Sequence, residues 1–323
     1  MSRIKTAYRL LAITSVLLAG GTAQAQQYPE RPINVVVPFP PGGPVDTLAR
    51  ILSKSMSASL GQQIIIENKP GAGGSIGAAQ VARSAADGYT LLMTASSFAM
   101  DPAIRSNLPF DPREDMHGVA NVASGPVVLL AKKTLPVDTF PELLQLLKKE
   151  PGKLAYASTG IGTVNHFAGE LLKSAAKVDA LHVPYNGAAP ATQAIVAGEV
   201  DFFFNNVLSS VPLVAADKVK ALAVTSEERW PAFPDVPTLR ESGVPVEISS
   251  WYGYFAPAGT PPSVMQKFYA EVNKALAAPE VKQQIERLGL KIEGMGPDEF
   301  QIYVDKEIDK WAAVAKSAGI QPQ

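Results

Sequence analysis

Short apolar runs alternate with amphipathic stretches along most of this chain, and no other feature limits its possible folds as strongly. The run INVVV at 33–37 predicts a buried strand, and apolar residues at helical spacing over 45–61 predict a helix. Further strands are predicted at 63–68 and 89–95, with a helix at 76–85 between them. Strands that alternate with helices usually pair in parallel, so we predict a mostly parallel sheet covered by helices.

The same alternation begins again after residue 125 and predicts a second α/β unit. Residues 236–262 are rich in proline and glycine, which favours a connection. Three helical stretches follow, at 262–277, 279–288 and 297–317. The elements predicted within the second unit are strands at 126–132, 153–158, 181–185, 199–206 and 219–225, and helices at 139–150, 164–175 and 189–197.

The last helical block has no sheet of its own, so we expect it to pack back on the first unit. The chain would then cross between the units twice, near residues 125 and 248, and the two crossings would form a two-strand hinge. Domain 1 is predicted to comprise residues 26–125 plus 248–323, and domain 2 residues 126–247. The predicted fold class is therefore α/β, with two mixed domains and a ligand cleft between them.

The N-terminal residues carry the features of an export signal. Arg3, Lys5 and Arg9 precede an apolar run at 10–19, and the small-residue sequence AQA ends at Ala25. This order predicts a signal peptide, residues 1–25, that is cleaved after Ala25. A membrane anchor is the alternative, but the run is far shorter than the roughly 20 apolar residues that span a bilayer. The chain has no cysteine, which excludes disulfides and thiolate catalysis. We predict an exported protein of the periplasm.

Charge and motif content exclude several classes of function. Cleavage after residue 25 removes three of 29 basic and none of 30 acidic residues, which changes the formal net charge from −1 to −4 and disfavours a nucleic-acid partner. GAGGSIG (71–77) and GIGTVN (160–165) lack the third glycine of a dinucleotide fingerprint. No GxSxG or HExxH motif occurs, and the three histidines lack metal-ligand spacing. Neither a cofactor nor a metal is expected.

The sequence PFPPGGPVD at 38–46 predicts a rigid loop between a strand and a helix. Its prolines stiffen the backbone, and Gly42 and Gly43 allow close approach to a ligand. The first N–H groups of the following helix have no internal partner and favour an anion. Asp46 would lie in the first turn, where its carboxylate could cap free N–H groups or accept a hydrogen bond from a ligand. The alternative is an ordinary tight turn.

A second loop of the same kind occurs in YASTGIGTVNHF at 156–167. Its glycines, Gly160 and Gly162, stand among hydroxyl side chains before a predicted helix that contains His166. Ligands of open α/β sheets sit at the carboxyl ends of strands, so both loops are expected to face one cleft. Two such loops would suit a ligand with an anionic group at each end. The hydroxyl residues of this loop are Ser158, Thr159 and Thr163.

Polar residues at other predicted strand ends are further candidates for ligand contact. Tyr185 and Asn205 follow strands of the second unit, and Ser96 and Ser97 follow a strand of the first. The alternative is that they form turns with solvated side chains. His166, one turn into the second helix, is also a candidate for ligand contact, and packing with support of the loop is favoured over a role as catalytic base. A nucleophile pair with Ser158 lacks an obvious acid to orient it.

Nine stretches in a fixed order carry a family resemblance. They are YPERPINVVVPFPPGGPVDTLAR, LGQQIIIENKPGAGGSIGA, ADGYTLL, PGKLAYASTGIGTVNHFAGELL, HVPYNGAAPA, GEVDFFF, KALAVTSEER, DVPTLRESG and APAGTP. Together they resemble the extracytoplasmic substrate-binding receptors of tripartite tricarboxylate transporters, the Bug family. The resemblance implies a two-lobed periplasmic binding protein fold (type II) whose two loops bind a carboxylate, partly through ordered water. Carried over to this chain, the loops are Phe39, Pro41, Gly42, Gly43 and Asp46, and Ser158, Thr159, Gly160, Gly162 and Thr163.

We therefore predict a receptor, not an enzyme, that captures a small organic carboxylate by hinge closure and delivers it to a membrane permease of the tripartite tricarboxylate type. A dicarboxylate is the expected ligand, and the receptor is expected to be a monomer. One alternative is a sensor that signals to a membrane partner, because a sensor needs the same cleft. The other is an exported hydrolase that uses Ser158 and His166.

Overall fold

Ten strands form the framework of residues 28–320, the part of the chain that the computed structural model describes. The predicted signal peptide and its cleavage site lie outside the described residues. Along the sheet the order is β2-β1-β3-β9-β4-β7-β5-β6, and β8 and β10 also pair with β4. The strands are β1 (Ile33–Val37), β2 (Ile64–Asn68), β3 (Thr90–Ala95), β4 (Met116–Lys132), β5 (Ala155–Ser158), β6 (Leu181–Pro184), β7 (Phe202–Asn206), β8 (Val219–Val224), β9 (Ser249–Pro257) and β10 (Lys291–Ile292).

Helices connect most of these strands and cover the sheet. A short 3-10 turn, Ala72–Gly74, precedes the second helix. No helix within residues 28–320 is long and apolar enough to cross a membrane. The helices are α1 (Pro44–Leu60), α2 (Ser75–Ala82), α3 (Ser97–Ile104), α4 (Phe140–Lys149), α5 (Val164–Ala176), α6 (Ala188–Ala197), α7 (Val207–Ala215), α8 (Pro262–Ala277), α9 (Pro279–Arg287) and α10 (Pro297–Ala318).

Strand β4 divides the framework into two lobes. Its first part, Met116–Pro126, pairs with β9, and its last part, 127–132, pairs with β7 and β8. The first lobe contains β1, β2 and β3, which are parallel to one another, and the second contains β5, β6 and β7, likewise parallel. The chain thus has the two-lobed α/β fold of a periplasmic binding protein, with its ligand cleft between the lobes.

Strand β9 corrects the prediction that residues 236–262 form a connection. It is almost wholly buried, and it pairs with β3 on one side and β4 on the other. Its Gly253 is required by close packing, because a Cβ there would lie 2.4 Å from the Phe300 ring. Gly253, which in the sequence is typical of a loop, therefore lies where the sheet packs against α10.

Three further elements differ from the sequence prediction. Strand β4 begins at Met116, ten residues before the predicted start, because β9 and β10 cover a stretch whose small residues give no strand pattern. Helices α3 and α7 are not predicted from the sequence. Each is short and contains a proline, Pro102 or Pro212, which obscures a helical pattern.

Candidate functional site

Five helices begin at one small cavity between the lobes. Their N-cap residues, which all line the cavity, are Gly43 (α1), Ser96 (α3), Thr163 (α5), Gly187 (α6) and Asn206 (α7). No side chain caps any of these five N-termini. Free N–H groups and the positive ends of five helix dipoles therefore surround the cavity, an arrangement that favours an anion.

The cavity is small and its wall is uncharged. Its volume open to the centre of a water molecule is about 50 Å³, and one water needs about 10–15 Å³ by this measure, so a small molecule fits and a nucleotide does not. None of the residues that line it is a Lys, Arg, His, Asp or Glu. The lining residues are Phe39, Pro40, Gly43–Val45, Ala95–Ser97, Thr159, Thr163–Asn165, Gly187, Ala188, Asn206, Ser250 and Tyr252.

The first loop places only part of its predicted residues in this wall. Phe39 and Gly43 line the cavity, whereas Pro41 and Gly42 do not. Gly42 has a φ of +80° and turns its N–H to the Asp46 carboxylate at 2.9 Å. Glycine is thus required at 42 for the backbone turn rather than for approach to a ligand.

Asp46 lies behind the loop and does not line the cavity, and its carboxylate satisfies a loop N–H group, which is the first of the two roles that the sequence leaves open. Its carboxylate accepts hydrogen bonds from Gly42 N–H, from Arg50 and from Asn68 Nδ2 at 3.0 Å. Arg50 Nη2 lies 2.9 Å from Asp46 Oδ1. Burial raises the pKa of Asp46, but the hydrogen bonds from Arg50, Gly42 and Asn68 outweigh burial and hold the pKa below its usual value. The carboxylate therefore ties the loop to α1 and β2.

The second loop is arranged in the same way, with some residues in the wall and others behind it. Thr159 and Thr163 line the cavity. Thr163 Oγ1 donates to the Gly160 carbonyl at 2.7 Å, and Gly162 N–H donates to His166 Nδ1 at 3.4 Å. Gly162 and the buried His166 thus shape the loop from outside the cavity. The prediction that His166 supports the loop agrees with this contact.

Ser158 is also buried behind the loop, and its partner is His182 of β6. His182 Nε2 lies 2.7 Å from Ser158 Oγ, and the His182 and His166 rings stack with centroids 4.4 Å apart. Burial lowers the pKa of both histidines, and His182 reaches about 4 because His166 also disfavours its charge. Neutral rings in this stack hold the loop through hydrogen bonds and packing.

Residues at the start of α3 and on strand β9 also line the cavity. Ser96 and Ser97, both predicted, line it together with Ser250 and Tyr252 of β9. Ser96 Oγ is buried and has no hydrogen-bond partner among the described residues. A buried hydroxyl without a partner is costly, so a bound molecule or water is expected to complete its hydrogen bonding.

The two asparagines at the end of β7 face different surroundings. Asn205 is fully buried but does not line the cavity, whereas its neighbour Asn206 does, because successive strand residues face opposite sides of a sheet. Asn206 Nδ2 donates to Tyr252 Oη at 3.1 Å, and Asn165 Nδ2 donates to Asn206 Oδ1 at 3.2 Å. Strand alternation is the signal that could have identified Asn206.

A wider outer cavity of about 590 Å³ adjoins the inner one and shares Phe39, Pro40, Thr159 and Gly187 with it. The predicted residues Gly160 and Tyr185 line this outer cavity and not the inner cavity. Arg105 is the one charged side chain in its described lining. The predicted candidates are thus divided between an inner wall, an outer wall and a supporting layer.

Fold and site together define a solute-binding protein. The tripartite tricarboxylate transporter family receptor profile (TctC) matches residues 48–320. The chain belongs to this family, the Bug receptors, whose members are periplasmic binding proteins and not enzymes. The UPF0065 protein of the tcbD-tcbE intergenic region of Pseudomonas sp. strain P51 is 41% identical over 312 residues, 94% of this chain and 92% of that one. BugT of Bordetella pertussis is 34% identical over 318 residues, 96% and 98% of the two chains.

Solved structures agree with this assignment. The periplasmic binding protein BugD has a TM-score of 0.87 and 37% identity, over 92% of this chain and all of that one. Rpa4515 of R. palustris with adipate has a TM-score of 0.88 and 34% identity, over 92% and 100% of the two chains. MatC of Rhodopseudomonas palustris with bound malate has a TM-score of 0.85 and 38% identity, over 89% and 99%. The chain is therefore a solute-binding receptor of this family.

Proposed function

We propose that this receptor captures a small dicarboxylate in the periplasm, closes its lobes over it and delivers it to a tripartite tricarboxylate-type permease. The observation that carries the proposal is the convergence of five uncapped helix N-termini on one small, uncharged cavity. Carboxylates bound by backbone N–H groups and hydroxyls gain charge-assisted hydrogen bonds without a neighbouring cation.

Two carboxylates suit the cavity because its N-termini come from both lobes. Helices α1 and α3 belong to the first lobe, and α5, α6 and α7 to the second. A short ligand with an anionic group at each end would contact the helix N-termini of both lobes and so favour the closed form. The relatives solved with adipate and with malate both hold dicarboxylates, which supports the same ligand class here.

The direct contacts are assigned to the cavity wall, and the remaining predicted residues to its support. Asp46, Ser158, Gly162 and His166 act by holding the two loops. We propose the domain boundaries predicted from the sequence, residues 26–125 plus 248–323 for domain 1 and residues 126–247 for domain 2. We also propose that the receptor is a monomer and that it is exported and cleaved after Ala25. The residues proposed to touch the ligand are Phe39, Gly43, Ser96, Ser97, Thr159, Thr163, Asn165, Asn206, Ser250 and Tyr252.

Thermal unfolding against a panel of acids tests the proposal. Residues 26–323 are partly unfolded and refolded to remove bound ligand, then heated with C3 to C8 mono-, di- and tricarboxylates and acidic amino acids. A ligand at a hundred times its dissociation constant stabilises the protein by about 2.7 kcal/mol. We expect a dicarboxylate to give the largest shift and to be recovered unchanged.

Ser96→Ala is the matched variant. The wild-type hydroxyl has no partner among the described residues, so its removal should preserve the melting temperature of the free protein and reduce the shift caused by the acid. The absence of a shift with every acid would contradict carboxylate binding. An equal shift in Ser96→Ala would remove Ser96 from the contacts.

A further inference from the structure

The second donor loop touches the first lobe at its tip, outside the inner cavity. A Cβ on Gly162 would lie 2.6 Å from Ile104 Cδ1, and a Cβ on Gly73 would lie 2.9 Å from the Ile161 carbonyl oxygen. Ile161 and Gly162 are therefore seated between the end of α3 and the 3-10 turn of the first lobe. Only residues without side-chain bulk at 73 and 162 allow so close an approach.

Arg105 adds a polar contact to this tip. Its Nη2 donates to the Ile161 carbonyl at 3.4 Å, and its Nε donates to Asp101 Oδ1 at 3.0 Å. Asp101 is buried at 2% exposure, whereas the Arg105 side chain is 20% exposed. The buried carboxylate thus holds the guanidinium in one orientation, with a second N–H group directed to the opposite lobe.

Helix α3 connects this contact to the binding cavity. Its first residue, Ser97, lines the inner cavity, and its last turn carries Asp101 and Ile104, next to Arg105. On the other lobe, Ile161 stands between Thr159 and Thr163, which both line the inner cavity. The same two elements therefore form the ligand wall at one end and the contact between the lobes at the other.

We infer that Arg105 is a positioning residue for ligand capture, which fixes the second donor loop over the cavity by hydrogen bonding to the Ile161 carbonyl when the lobes are closed. The inference rests on the proposed function. Arg105 does not line the inner cavity, so its contribution to affinity comes from the closed lobes and not from contact with the acid. The hydrogen bond between Arg105 and Ile161 joins the two lobes, so it must break when the lobes part. The bond therefore slows ligand release more than it speeds ligand entry.

Malate and adipate are the probes, and Arg105→Gln and Arg105→Lys are the variants. Arg83→Gln is the matched control, because Arg83 also donates to a backbone carbonyl, that of Pro109, but within the first lobe. Titration calorimetry gives the dissociation constant, and stopped-flow fluorescence gives the two rate constants. We expect Arg105→Gln to bind the preferred acid on the order of tenfold more weakly, mostly through faster release. Arg83→Gln should match the wild type.

The Lys variant separates orientation from charge. Lysine keeps the positive charge but has no Nε–H group for Asp101 to hold, so Arg105→Lys should resemble Arg105→Gln. Wild-type binding by Arg105→Lys, or an association in Arg105→Gln that is slower than wild type at low salt but equal to it at high salt, would overturn the inference and assign Arg105 to direct attraction of the anion. Unchanged affinity in Arg105→Gln would also overturn it. A wild-type protein that binds no acid of the C3 to C8 panel would instead contradict the proposed function, and the inference with it.

Discussion

Replacement of Asp46 by alanine is expected to loosen the first donor loop rather than to remove a ligand contact. Arg50 is 54% exposed, so water can replace its lost partner, whereas the N–H groups of Gly42 and Asn68 lose an acceptor in a part-buried setting. Hydrogen bonds contribute about 0.5–1.5 kcal/mol each, and more when the acceptor is charged. The change should lower the free energy of unfolding by about 2 kcal/mol.

Asp46→Asn is the control, because it keeps one acceptor oxygen and the same side-chain shape. Urea denaturation of the ligand-free proteins measures stability, and calorimetric titration with malate or adipate measures affinity. Asp46→Ala should lose stability and affinity together, and Asp46→Asn should lose less of each. An Asp46→Ala protein with wild-type stability and no binding would refute this reasoning and place the carboxylate on the ligand.

The pH dependence of stability supplies an independent check on Asp46. Its pKa lies below the ordinary value of 3.8 in the folded protein, so the unfolded chain binds more protons as the pH falls. The stabilisation by Asp46 is therefore present above pH 3.8 and is lost as the pH falls through the lowered pKa. Asp46→Asn should lose less stability than the wild type over that pH range. Parallel curves of stability against pH for the two proteins would contradict the stabilising role of the ionised Asp46.

Two further changes test the layer behind the second loop. Gly169→Ala places a Cβ 2.2 Å from Tyr156 Cε2. Overpacking costs about 1–3 kcal/mol and should exceed the gain of about 1 kcal/mol in helix propensity, so the melting temperature should fall. A stabilised variant would show that the Tyr156 ring moves freely. His182 has a pKa lowered to about 4 by burial and by His166, so the folded state binds fewer protons than the unfolded state between pH 6.5 and 4, and stability should fall with acidification over that window. His182→Gln should flatten this dependence in melting curves from pH 4.5 to 7.5, and an unchanged slope would remove His182 as its source.

Local chemistry explains which parts of the site were predictable from sequence. The two glycine loops are visible because glycine, proline and hydroxyl residues between a strand and a helix act through nearby backbone. The pairing of His182 with Ser158 could not be predicted, because the two residues are 24 positions apart and become adjacent only when β5 and β6 pair in register. The choice between Asn205 and Asn206 has the same limit, since strand register decides which of two adjacent amides faces the cavity.

The longer-range architecture was predictable in type but not in detail. Alternating apolar runs suffice for an α/β assignment, and the predicted start of a helix at 139 agrees with the structure, where Thr139 and Glu142 form a capping box within four residues. Strand β9 could not be recognised, because its glycine is explained by a contact with Phe300, 47 residues further along the chain. Arg105 was missed for a related reason, as its significance depends on a loop tip from the opposite lobe.

An uncharged wall has a consequence for selectivity that a cationic wall would not have. An arginine in the cavity would need its own counter-ion whenever the cleft is empty, whereas backbone N–H groups are satisfied by water in the open form and by carboxylate oxygens in the closed form. The carboxylate of Asp46 illustrates this need of a buried charge for partners, since Arg50 and Asn68 hydrogen-bond to it beside the first loop. Because helix N-termini supply only partial charges at fixed positions, we expect the separation of carboxylates in the acid to matter more than its total charge. A tricarboxylate should therefore bind more weakly than a dicarboxylate of matching length, and the reverse order in the unfolding panel would contradict this account of the site.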